Sequence, residues 1–308
     1  MVTSRRQSID VYRGTALLAM AAYHAAWDLN YYRLISVGIG VDPLWIWFQR
    51  AIAGSFLLLV GASLVLAHGN GVRWGLFWRR EVVLVAAAAA VSLGTWFAFG
   101  PALAYFGILH AIALFSLLAL PFLFAPIWLT CAASAGAVLA SLWTTEAFDP
   151  PWLNWIGFFR TTPETADLVP VFPWFGVVLA GVAGMRLLRD RPVFNWANAA
   201  WPLRAAGFIG RWSLLFYLLH QPILFGIVTP IANWLNAAEQ TRLESFLQSC
   251  RQSCDPPNGA QFCTAYCACS LDMTVRDNLW NAVNADPRSL DQQASVNHMT
   301  ALCTALNN

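Results

Sequence analysis

The residues best suited to chemistry lie in one short stretch, "RGTALLAMAAYHAAWDLN" at positions 13–30. Arg13, His24 and Asp28 sit there among alanines, leucines and aromatics. An ionisable group is costly in hydrocarbon and is retained there mostly where it acts. Eleven helical steps separate Arg13 from His24, close to three full turns, so both fall on one face about 16 Å apart along the axis. Leu17 and Met20 complete that face. Asp28 follows His24 by four residues, within reach of the imidazole. A carboxylate there can hold the tautomer of a histidine base and stabilise its protonated form. Arg50, near the start of the next apolar stretch, is a second partner open to Asp28. That pairing would make a structural lock and leave His24 to act alone.

His110 in "YFGILHAIAL" and His220 in "GRWSLLFYLLHQP" are also within apolar segments. A lone histidine there serves as a base or as a helix–helix hydrogen bonder, and His110 is the next candidate base after His24. His220 precedes Pro222 and is expected to satisfy a carbonyl freed at a proline kink. His68 and His298 look ordinary.

These residues need helices that cross a membrane. Of 308 residues, 58% are apolar and 11% charged, with a mean hydropathy of +0.53. A soluble domain carries about 25% charged residues, so the chain is expected to be an all-α polytopic membrane protein. Its 16 tryptophans suit interfacial aromatic belts. A net charge of +2 is too small to suggest a nucleic-acid partner, and none is expected. The first apolar stretch carries charges and lacks a small-residue cleavage site, so it is read as a retained span.

Segments of about 20 apolar residues predict seven spans, at 9–29, 45–67, 81–99, 103–123, 126–144, 170–188 and 208–235, the last kinked by Pro222 and Pro230. Arginine placement sets the orientation. Arg5, Arg6, Arg73, Arg79, Arg80, Arg186, Arg189, Arg191 and Arg204 gather on one side of a seven-span chain. That side is expected to be cytoplasmic, with the N-terminus inside and the C-terminus outside, as in a bacterial inner membrane. The chain divides into a membrane domain at 1–235 and a polar tail at 236–308 on the periplasmic side.

The tail holds six of the seven cysteines. Cys250 and Cys254 are four apart, as are Cys263 and Cys267, so each pair lines one helix face. "DPPNG" between them breaks the helix and reverses the chain. The simplest pairing is Cys250–Cys267 and Cys254–Cys263, with Cys269 facing elsewhere and bridging Cys303. The spacing differs from that of zinc sites, and no metal is expected. Cys131, in the fifth span, is expected to be buried.

An arginine, ten residues and a histidine in the first span resembles the signature of transmembrane acyltransferases that modify envelope sugars. "SIDVYRGTALLAMAAYHAAWDL" is similar to bacterial relatives of the heparan-alpha-glucosaminide N-acetyltransferase catalytic domain. So are "FLLLVGASLVLA", "FGILHAIALFSLL", "VFPWFGVVLAGVAG" and "IGRWSLLFYLLHQPI", in order; together they cover most of 5–235, and the cysteine tail lies outside. The resemblance implies transfer of an acetyl or other acyl group from cytoplasmic acetyl-CoA or another acyl-CoA to a sugar or glycan acceptor reached from the other side. His24 would be the general base and Asp28 would orient it. Arg13, with Arg79, Arg80 or Arg211, would attract the donor's phosphates. Membrane lipid is the expected surrounding; the oligomeric state is left open. The main rival is a transporter or proton-coupled permease using the same His and Asp, against which stands the lack of an inverted repeat. A haem cytochrome and a non-catalytic scaffold are further rivals.

Overall fold

The computed structural model describes residues 2–188, 200–235 and 237–307. It is helical, with no strand among the described residues beyond a single bridge between Phe106 and Leu168. In chain order the helices are α1 (Val2–Tyr31), α2 (Pro43–His68), α3 (Trp74–Phe99), α4 (Ile108–Ala119), α5 (Ile127–Ala140), α6 (Val171–Leu188), α7 (Trp201–Arg211), α8 (Ser213–Leu235), α9 (Ala237–Asn258), α10 (Ala260–Arg276), α11 (Trp280–Asn284) and α12 (Leu290–Asn307). Two compact units result: Met1–Trp27 with Gly38–Phe225, and Asp28–Val37 with Gly226–Asn308.

Among the described residues, four segments are long and apolar enough to cross a membrane: Pro43–His68, Trp74–Ala102, Val171–Leu188 and Ser213–Leu235. The expectation of seven is therefore met in part. α1 has the length, but its charges lower its hydropathy. α4 and α5 have only 12 and 14 residues. The shortening of α4 is caused by contacts with residues 166–169. A 3-10 turn ends at Ala102, and the Ala102 and Phe106 carbonyls accept the amides of Ala166 and Val169. Asp167 Oδ2 then accepts the Ile108 amide at 2.9 Å, capping the first turn. Pro121 and Pro126 bound the turn into α5. The expected span 208–235 is broken at Trp212, between α7 and α8, whereas α8 runs unbroken through Pro222 and Pro230.

The first unit's core is built on α2, α3, α4 and α6, from Leu57, Phe77, Phe115, Val178, Leu179 and Val182, all buried. α2 and α6 cross backbone to backbone. A Cβ on Gly61 would strike the Val178 carbonyl, and one on Gly181 would strike the Leu58 carbonyl. Small residues at both positions let the helices approach this closely. Ser134 Oγ donates to the Gly176 carbonyl at 2.7 Å, tying α5 to α6. α1 meets α7 in the same way, with Gly14 against Ala206 and Gly210 against Asp10. Leu17 and Met20 are buried with Ile52, and Ile209, Phe216 and Tyr217 pack against them. Cys131 is exposed, contrary to expectation.

In the second unit, Tyr32 and Thr229 hydroxyls hydrogen-bond at 2.6 Å. Disulfides join Cys250–Cys267, Cys254–Cys263 and Cys269–Cys303, with Cα separations of 5.8, 5.6 and 5.7 Å, which is the expected pairing. α9 extends to Asn258, past the prolines expected to end it, and the chain reverses at Gly259, whose φ is +86°. Met273, Met299 and Cys303 form a small core. The Arg242 guanidinium lies 3.8 Å over the Trp280 ring.

Candidate functional site

Four helices bring polar groups together at one end of the first unit. Arg13 on α1 donates from Nη2 to Ser63 Oγ on α2 at 2.6 Å, and Nη1 lies 3.5 Å from Asp10 Oδ1. Arg80 on α3 donates from Nη1 to Glu81 Oε1 at 3.0 Å and to Ser116 Oγ on α4 at 3.1 Å. The two guanidiniums are near enough to repel each other. Their side chains remain 30% and 39% exposed, so an anion can reach both. Two arginines, each held by one carboxylate and one serine hydroxyl, are suited to a polyanionic ligand. Arg79 and Arg211 are exposed and outside this cluster. Of the four arginines expected at a phosphate, the fold gathers Arg13 and Arg80. Arg189 and Arg191 lie outside the described residues, as do the side chains of Arg5 and Arg6.

Three turns along the unbroken α1, His24 lies beside His220 of α8, with ring centroids 5.1 Å apart. His220 Nδ1 is 2.7 Å from the Tyr217 carbonyl. A carbonyl only accepts, so Nδ1 carries the proton and the neutral ring keeps its lone pair on Nε2. Nε2 has no hydrogen-bond partner among the described residues. Phe216 lies parallel to the His220 ring, with centroids 6.2 Å apart. Tyr23 meets the His24 ring edge-on at 5.7 Å. The result is a basic nitrogen next to a second imidazole, walled by aromatic rings. His220 bonds a backbone carbonyl, but that of Tyr217 rather than that of Leu218, the one Pro222 leaves without its helical donor; its place beside His24 gives it a second use.

Asp28 is fully buried, one turn beyond His24 on the same helix. Arg50, its other candidate partner, lies over the Trp47 ring at 5.5 Å.

His110 is placed differently. Ser92 Oγ donates to the Ala104 carbonyl at 2.6 Å, which uses its only proton. His110 Nε2, 3.3 Å away, must therefore donate to Ser92. That bond ties α4 to α3. His110 also lines a cleft of about 400 Å³ with Tyr105, Phe106, Trp155 and small apolar residues of α3 and α4. His68 Nδ1 accepts the Arg73 amide at 3.2 Å, a helix-end bond. Outside the spans, burial pushes the Asp167 carboxyl up to about 6, with the Ile108 amide opposing. No group of three or more His, Cys, Asp or Glu side chains that could hold a metal occurs among the described residues.

The family model for the heparan-alpha-glucosaminide N-acetyltransferase catalytic domain matches residues 5–222. The chain belongs to this family. Comparison with curated proteins and with solved structures gave no match. The heparan-alpha-glucosaminide N-acetyltransferase match takes in α1 through the first half of α8, and with them Arg13, His24, Asp28, Arg79, Arg80, His110, Arg211 and His220. The disulfide-stapled tail falls outside it.

Sequence reasoning missed Glu81, Ser63 and Ser116 and favoured a structural role for His220. Glu81 had a usable signal: it is a carboxylate inside the predicted span 81–99. The serines had none, since a serine in an apolar helix is unremarkable until an arginine is found beside it.

Proposed function

We propose that this chain is a membrane-embedded acyltransferase. It moves an acetyl or other acyl group from a cytoplasmic acyl-CoA to the hydroxyl or amine of a sugar or glycan acceptor on the opposite side of a bacterial inner membrane. The observation that carries the reading is His24 beside His220 within the region matched by the family model. The arginine cluster lies at the other end of the same helix, about 16 Å away by helical rise. A donor anchored there by its phosphates can extend its pantetheine arm along α1 and bring the thioester to His24. The seven-span topology, with the arginine end cytoplasmic and the tail periplasmic, is the arrangement this route requires.

In this scheme His24 takes the proton of the acceptor as its oxygen or nitrogen attacks the thioester carbonyl carbon. A C–O or C–N bond forms, the C–S bond breaks, and the departing thiolate takes the proton from the imidazolium. His220, with its lone pair fixed on Nε2, accepts from the second nitrogen of His24 and holds that ring in place. Asp28 offsets the positive charge that develops on His24. Arg13 and Arg80 hold donor phosphates; Arg79 and Arg211 contribute only long-range attraction. His110 is the reserve base.

The test is acyl-CoA turnover by the purified full chain with envelope glycan as acceptor, followed by mass spectrometry of the product. Removing a general base costs about 10²–10⁴ in rate. His24→Ala is expected to lose at least about a hundredfold, with thermal stability kept. Full activity in His24→Ala overturns the assignment, and absence of turnover in the parent chain overturns the reading as a whole.

A further inference from the structure

Glu81 is a carboxylate in an apolar helix, 3% exposed. Such a group needs a compensating role. Its Oε1 accepts from Arg80 Nη1, while Oε2 has no hydrogen-bond partner among the described residues. It therefore neutralises nothing beyond Arg80, and what it does to Arg80 is specific. Nη1 has two hydrogens. One goes to Glu81 Oε1 and the other to Ser116 Oγ, which is fully buried. Both bonds fall on the same nitrogen. The opposite edge of the guanidinium, Nε–H with Nη2–H, makes no hydrogen bond within the described residues. That edge is the fork that pairs with two phosphate oxygens at once.

We infer that Glu81 is a positioning residue: with Ser116 it clamps Nη1 of Arg80 and presents the Nε/Nη2 edge, beside Arg13, to the diphosphate of a nucleotide-bearing acyl donor. The inference rests on the acyltransferase reading above. The clamp explains why a carboxylate is tolerated next to an anion-binding group. Glu81 is buried on the far side of the guanidinium, so the accessible side is left to the ligand. It also predicts selectivity for donors that carry phosphate over donors that carry only the pantetheine thioester.

The experiment uses the full-length protein in detergent, with acetyl-CoA and S-acetylpantetheine as alternative donors. Glu81→Ala is expected to raise KM for acetyl-CoA about tenfold and to leave kcat within about twofold, the scale of one charge-assisted hydrogen bond. KM for S-acetylpantetheine, which has no phosphate, should not move. Glu81→Gln keeps an oxygen acceptor of the same shape, so it should recover most of the loss and act as a folding control. Equal losses with both donors, or a loss confined to kcat, overturn the positioning role. If the parent chain turns over neither donor, the acyltransferase reading fails instead, so the two failures are distinct.

Discussion

Removing the Cys269–Cys303 disulfide should destabilise the tail more than removing Cys254–Cys263, by an amount set by loop length. The two bonds close 34 and 9 residues respectively. Loop-closure entropy assigns about 3.8 kcal/mol to the longer loop and about 2.6 kcal/mol to the shorter, a difference of about 1 kcal/mol. Cys250–Cys267 closes 17 residues and encloses the inner bond. While the inner bond is intact it shortens the chain path between Cys250 and Cys267. The outer bond then contributes less than the roughly 3.1 kcal/mol of an isolated 17-residue loop. Paired alanines are the right substitution, because Cys303 is fully buried against Met273 and Met299 and a serine would add an unpaired hydroxyl. Stability of the tail is read in the full chain by brief trypsin digestion across a urea series, with Arg242, Arg251, Arg276 and Arg288 as reporter sites. The reasoning fails if the inner pair costs as much as the long-range pair, or if the inner and outer losses add without interaction.

Other expectations concern the membrane unit. Gly61→Ala or Gly181→Ala forces α2 and α6 apart and should cost about 1–3 kcal/mol, whereas Gly94→Ala, with open space around its Cβ, should be neutral or slightly stabilising by thermal melting. Asp167 titrates higher in the fold than in the unfolded chain, being pushed up to about 6 by burial. Its contribution is therefore complete below the unfolded carboxylate range and is lost as pH rises through about 6. Asp167→Asn, which keeps the acceptor for the Ile108 amide, should flatten that part of the stability profile; an unchanged slope between pH 4 and pH 7 refutes it. Ser92→Ala strands both His110 Nε2–H and the Ala104 carbonyl, at a cost of about 1–3 kcal/mol. A double-mutant cycle with His110→Ala should then show coupling, and additive losses would refute the helix tie.

The sequence was most informative where function rests on spacing along one helix. The i,i+4 cysteine pairs determine which faces can meet, and the disulfides follow. The eleven-residue interval from Arg13 to His24 needs only an unbroken α1. The reading was weakest where the deciding partner is far away in the chain. α4 starts at Ile108 because residues some sixty positions later take its preceding carbonyls and cap its first turn, and no local pattern near 103 announces that. The break at Trp212 is similar: α7 turns so that Gly207 and Gly210 can lie against α1, while the more obvious breakers, Pro222 and Pro230, stay inside a helix.

The same contrast explains the candidate site. A charge in an apolar helix is easy to see, but its partner is a short neutral side chain or a second ring on another helix. Arg13 requires Ser63, Arg80 requires Ser116, and His24 lies beside His220. Each partner taken alone has an ordinary explanation: serine hydroxyls satisfy helix carbonyls, and a histidine before a proline bonds its own backbone. Ser63 and His220 do both things, bonding a carbonyl on their own helix and facing a charged or titratable group on another. That double engagement fixes the hydroxyl or ring orientation before any ligand arrives. Fixed orientation is what a site needs in a medium where water cannot reorganise around charge. On this argument the serines and His220 are as much part of the site as the residues that first drew attention to it, and substituting them should change ligand affinity or rate before it changes the fold.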